Sequence, residues 1–126
     1  MNPVESPIKI KIDTQYLEQQ SDVADNKYLF SYTITIINLG HTNVTLKDRH
    51  WIITDSDGEQ NEVKGPGVVG ETPIIAPNTA YQYTSGTVLE TPVGFMQGFY
   101  GMEDNKGERF LVTIPPFRLA VPGVFQ

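Results

Sequence analysis

The chain has 126 residues, enough for one domain with a real hydrophobic core and no need of covalent staples. It contains no cysteine, which excludes disulfides, a thiolate nucleophile and a Cys-based zinc site. Nine basic residues against fifteen acidic ones give a formal charge of -6, which disfavours nucleic acid and anionic lipid as partners.

The opening M-N-P-V-E-S-P-I-K-I-K-I-D has no basic segment followed by an apolar one, so no leader peptide is expected. No apolar run approaches the ~18 residues of a membrane span. A cytoplasmic protein with no membrane contact is the expectation, and the missing cysteines fit a reducing compartment.

Alternation is the dominant signal along the chain. Ile8, Ile10 and Ile12 point one way while Lys9, Lys11 and Asp13 point the other, which predicts a strand with one wet face. Residues 15–26 turn acidic and polar and predict an exposed connection. A second strand follows over 27–38, with Phe30, Tyr32, Ile34 and Ile36 on one face and Ser31, Thr33 and Thr35 on the other. Residues 39–43 close it as a turn.

The strand over 44–55 is irregular. Leu46 and Trp51 have opposite parity, so a bulge near Asp48–His50 is needed if both face the core. D55-S-D-G58 predicts a tight turn, and 59–64 a short polar edge strand. Residues 65–79 are loop-like around I74-I75. Another strand covers 80–85, and 93–102 with 108–114 forms a hairpin turning on N-K-G. Pro115-Pro116 is expected to end the last strand, leaving Phe117, Leu119, Val121 and Phe125 still to bury. No ten-residue stretch has helical periodicity. About seven strands in a single domain over 1–126 predict an all-β antiparallel β-sandwich.

Within K64-G-P-G-V-V-G-E71, Gly65, Gly67 and Gly70 spell G-x-G-x-x-G. That spacing binds dinucleotides only when a helix follows and offers its free N–H groups to the pyrophosphate. Here E71-T-P-I-I-A-P77 follows, and two prolines forbid a regular helix. Two readings remain. Successive amides could form an anion-binding nest, with Lys64 beside it and Arg49 or His50 brought near. Otherwise the glycines serve positive φ and close backbone approach at the sandwich edge.

Other chemistry is poorly supported. D55-S-D-G-E-Q-N-E62 departs from a calcium loop, with glycine at the fourth position and Pro66 at the twelfth. His41 and His50 are the only histidines and are too far apart to suggest a transition-metal site, so no metal and no cofactor is expected. Ser85 lacks the first glycine of a nucleophile elbow, and Glu103–Asp104 sits in a turn. No catalytic constellation emerges, and the chain is not expected to be an enzyme. One strand stands out: in G94-F-M-Q-G-F-Y-G-M102 both faces are apolar, Phe95 and Phe99 on one, Met96, Tyr100 and Met102 on the other. Either the second face is covered within the fold, or Met96, Tyr100 and Met102 meet a partner. Gly94, Gly98 and Gly101 imply bulges or close approach of another segment.

R49-H-W-I-I-T-D55, E62-V-K-G-P-G-V-V-G-E-T-P73, Y83-T-S-G-T-V-L-E-T-P92, G94-F-M-Q-G-F-Y100 and F110-L-V-T-I-P-P-F117 resemble the ApaG family in order and spacing, over nearly the whole chain. The resemblance implies an immunoglobulin/fibronectin-III-like sandwich. It also implies a family-level link to cobalt and magnesium tolerance, and a gene neighbourhood shared with a diadenosine tetraphosphate hydrolase. Similar domains in F-box proteins and in a polymerase-delta-interacting protein look like protein-binding modules. The expected function is therefore a non-enzymatic protein-interaction module with an unidentified protein partner, possibly a homodimer. The alternative is a small-anion or metal–phosphate binder using the Gly65–Gly70 loop, for example with pyrophosphate or a nucleotide phosphate.

Overall fold

The computed structural model describes residues 7–124. Residues 1–6, within the opening segment expected to hold no leader peptide, and Phe125 lie outside the described residues. The strands are β1 (Ile8–Tyr16), β2 (Tyr28–Asn38), β3 (Val44–Asp55), β4 (Gln60–Pro66), β5 (Ile74–Ile75), β6 (Thr79–Leu89), β7 (Val93–Glu103) and β8 (Arg109–Ala120). They form two antiparallel sheets, ordered β1-β2-β6 and β4-β3-β7-β8, with β5 pairing to the start of β3. The architecture is the expected sandwich, and the two-residue β5 accounts for the strand beyond seven. The acidic connection after β1 holds two single 3-10 turns, Glu18–Gln20 and Val23–Asp25, with no buried residue.

The core lies between the sheets, and period-two patterning builds it. Phe30, Tyr32, Ile34 and Ile36 of β2 are all buried. On the opposite face of the same sheet, hydroxyls of Thr33 and Thr84 pair at 2.8 Å, and Gln82 Nε2 donates to Thr35 Oγ1 at 2.8 Å. The centre of that outer face is therefore a polar ladder, with Leu29 and Val88 at one end and Ile37 at the other. Asn38 is the fully buried polar residue at the end of β2. Its amide donates to the carbonyls of Thr42 and Ile75 at 2.8 and 2.9 Å, and its Oδ1 accepts from Gly40 N–H at 2.9 Å, so each buried polar atom is satisfied.

The parity conflict in β3 is resolved by a bulge, placed slightly earlier than expected. The register with β7 shifts between Leu46 and Asp48, so Lys47 is the extra residue. Leu46 and Trp51 consequently both reach the core. The proline pair does not end β8. Phe117 pairs with Met96 and Ile114 with Gly98, so Pro115 and Pro116 together oppose Gln97 as a bulge. β8 is an edge strand, where a missing N–H costs no ladder bond. Beyond the bulge Leu119 is buried, and the Phe117 ring packs edge-on against Trp51 at 5.8 Å.

Met96, Tyr100 and Met102 are not available to a partner. All three are fully buried, because the three-stranded sheet covers that face of β7. The Tyr100 hydroxyl pairs with that of Tyr83 on β6, tying the two sheets together. Burial pushes both phenols far above their usual range, most strongly Tyr100. The face of β7 that stays partly open is the one bearing Phe95 and Phe99.

Candidate functional site

β7 needs its glycines because its neighbours approach closely. A Cβ at Gly98 would lie 1.9 Å from the His50 carbonyl oxygen, and one at Gly101 would lie 2.1 Å from Asp48 Oδ1. The second contact shapes the surface. Gly101 stands between Asp48 on β3 and Leu111 on β8. With no side chain there, Arg109 Nη2 reaches across β7 to Asp48 Oδ2 at 2.5 Å.

Around this gap the outer face of the five-stranded sheet forms an open depression of about 690 Å³. Lys47, Arg49, His50, Lys64 and Arg109 line it, together with Asp48, Phe99 and Leu111. Lys47, Lys64 and Arg109, three of the chain's nine Lys and Arg residues, thus gather at one place on an acidic protein, while the Arg49 guanidinium turns to the Pro66 and Gly67 carbonyls. Two carboxylates answer them in part: Asp48 holds Arg109, and Glu62 holds His50 Nε2 at 2.8 Å and Lys64 more loosely at 3.8 Å. Among the described residues Lys47 makes no ion pair. Leu111 is 69% exposed and Phe99 36%, so the floor carries an uncovered apolar strip.

The glycine segment is braced rather than open. Gly67 N–H donates to the Lys47 carbonyl at 2.8 Å, while Val68 and Glu71 exchange both backbone bonds at 2.9 Å. The Arg49 guanidinium donates to the carbonyls of Pro66 and Gly67, each at 3.0 Å. Val68 is fully buried and plugs the loop into the core. Gly67 and Gly70 take positive φ, as does Val69 between β4 and β5. A Cβ at Gly67 would also lie 2.2 Å from the Glu71 carbonyl oxygen. No helix follows; β5 does. Gly67 thus serves close approach and positive φ, Gly70 positive φ alone, and at least the Gly67 and Val68 amides are engaged within the loop.

Of the anion candidates, Lys64, Gly65, Arg49 and His50 line the depression, whereas Gly67 and Gly70 do not. Sequence reasoning missed Lys47, Arg109 and Leu111. Leu111 was visible as a large apolar residue out of step with the inward Val112 and Ile114. Lys47 and Arg109 needed the bulge and the hairpin register.

The remaining candidates behave as local structure. His41 is exposed in its turn. Asp55 Oδ1 accepts from the amides of Asp57 and Glu59, and Asp104 Oδ1 from those of Lys106 and Glu108, so both carboxylates stabilise hairpin turns. Ser85 sits mid-strand in β6. Among the described residues no three of His, Cys, Asp or Glu gather as a metal would need.

The model of the ApaG domain matches residues 18–104. The chain belongs to the ApaG family. It is 88% identical to Protein ApaG of Shewanella frigidimarina over 126 residues, covering 100% of both chains. It is 65% identical to Protein ApaG of Shewanella denitrificans, covering 98% of each. An X-ray structure of the structural genomics target SoR45 is 62% identical and superposes with a TM-score of 0.90, over 94% of this chain and 90% of that one. The crystal structure of a Bordetella pertussis protein given the name ApaA is 40% identical, with a TM-score of 0.91 over 97% of this chain and 100% of that one. The sandwich described above is thus the family's fold. No helix among the described residues is long and apolar enough to cross a membrane.

Proposed function

We propose that the protein is a non-catalytic, cytoplasmic interaction module that docks another protein on the outer face of its five-stranded sheet. The asymmetry of the two outer faces carries the reading. One is centred on a ladder of Thr33, Thr35, Gln82 and Thr84, joined by side-chain hydrogen bonds, with Val88 exposed only at its end. The other leaves Phe99 and Leu111 uncovered beside a cluster of cations, with Phe95 also open further along β7. Aromatic residues with an arginine are the composition of a contact surface. Asp104, from the carboxylate pair weighed for catalysis, is occupied in a hairpin turn, as is Asp55 of the calcium-like segment, which supports a binding role over a chemical one.

Quantitative capture from native cell extract tests the reading. The wild type, a Phe99→Ser/Leu111→Ser variant and a Gln82→Ala control are compared after unfolding curves show all three folded. Proteins held by the wild type and the control but released by the face variant are expected. The same set on all three, or none on any, would defeat the proposal.

The gathered cations favour a second reading, in which the depression takes a small anion such as pyrophosphate or a nucleotide phosphate. Lys47, Lys64 and Arg109 would carry it, with Gly65 at the margin. Titration with pyrophosphate would then shift the amides around Lys47 and Lys64 and leave those of Gly67 and Val68 in place. We assign the cobalt and magnesium link no site on this chain.

A further inference from the structure

The depression has a definite layout. Gly101 forms the floor, and Phe99 and Leu111 stand beside it on neighbouring strands. Lys64 and Lys47 lie on the β4–β3 side, and Arg109 on the β8 side. The apolar strip is thus flanked by positive charge on both sides. Asp48 and Glu62 already have cationic partners, and Lys47 has none among the described residues, so the rim keeps a positive surplus. A ligand of charge alone would leave Leu111 in water, and an apolar ligand alone would leave the cations unanswered. A long polyanion such as nucleic acid would meet the repulsion of the whole chain at formal charge -6.

We propose that the occupant is an extended acidic segment of a partner protein. Its Asp or Glu carboxylates meet Lys47, Lys64 and Arg109, and an aliphatic or aromatic side chain between them covers Phe99 and Leu111 above Gly101. The inference rests on the docking role of this face and names the chemistry that fills it. Charge complementarity of this kind sets specificity and encounter rate, while the apolar anchor supplies residence. Lys47 is the residue to single out, because the bulge that projects it also carries the carbonyl that holds Gly67.

The test is a titration of the isotope-labelled protein with a short peptide placing Asp and Glu on either side of a Leu-Phe centre. Its counterpart with Lys at each acidic position, and inorganic pyrophosphate, are run beside it. The acidic peptide is expected to shift the amides of Lys47, Phe99, Gly101 and Leu111. Lys47→Glu/Lys64→Glu should weaken it by roughly tenfold or more, as should added salt and Leu111→Ser. Equal binding of the basic peptide would overturn the proposal. So would pyrophosphate reproducing every shift, which would make the depression a small-anion site, or the same shifts appearing on raising protein concentration alone, which would make a second copy the occupant. If the acidic peptide fails while the face variant still releases captured proteins, the acidic-segment assignment falls and the docking face stands. If both fail, the face reading falls with it.

Discussion

Replacing Gly67 by alanine separates a structural glycine loop from a phosphate cradle. At φ +61° an alanine pays roughly 1–2 kcal/mol for the left-handed backbone. The new Cβ would also stand 2.2 Å from the Glu71 carbonyl oxygen, so the loop must part. Parting it breaks the paired Val68–Glu71 backbone bonds, each contributing about 0.5–1.5 kcal/mol net. The expected destabilisation is about 2–5 kcal/mol. Gly70 supplies the control, since it has φ +81° with nothing within 4 Å of its Cβ position. Gly70→Ala should therefore cost only the backbone term, about 1–2 kcal/mol. Urea unfolding at constant slope measures both. Equal losses within ~0.5 kcal/mol would refute the close-approach account of Gly67.

Three further outcomes follow from the core. Tyr100→Phe leaves the buried Tyr83 hydroxyl unpaired and should cost about 1–3 kcal/mol, with the Tyr83→Phe/Tyr100→Phe double variant losing less than the sum of the single ones in a double-mutant cycle. Burial raises both phenols' folded pKa above the unfolded value, so their contribution is complete below about pH 10 and is lost as pH rises beyond it. Urea midpoints measured from pH 8 upward should fall less steeply in the double variant than in the wild type. Asn38→Asp replaces an amide that donates to two carbonyls with a buried carboxylate facing them, so it should destabilise by about 3 kcal/mol or more at neutral pH and recover part of that on acidification, read by thermal unfolding at pH 7 and pH 5.

Period-two patterning made most of the fold legible. The isoleucines of β1 and the aromatic and β-branched face of β2 point where alternation requires, and the opposite parities of Leu46 and Trp51 require the bulge that β3 contains. What alternation cannot see is which of two apolar faces another sheet will cover. In β7 both faces qualified, and only the position of the three-stranded sheet decides that Met96, Tyr100 and Met102 go inside while Phe95 and Phe99 stay at the surface. Pro115-Pro116 misled for a related reason. Proline stops a strand that needs its N–H, and β8, as an edge with a bulge, does not. The site was legible only in fragments. Arg49, His50 and Lys64 are near neighbours across one ladder, but Arg109 joins them only by reaching over β7 to Asp48, a juxtaposition created by a missing side chain at Gly101.

The docking face is tested most directly by placing a photo-cross-linking residue at position 111 on β8 and, separately, at position 82 on β6, then illuminating both proteins in native extract. Heteromeric adducts at position 111, competed away by unlabelled wild type, with none at position 82, are the predicted result. Matching adducts at both positions, or adducts at position 82 alone, would contradict it.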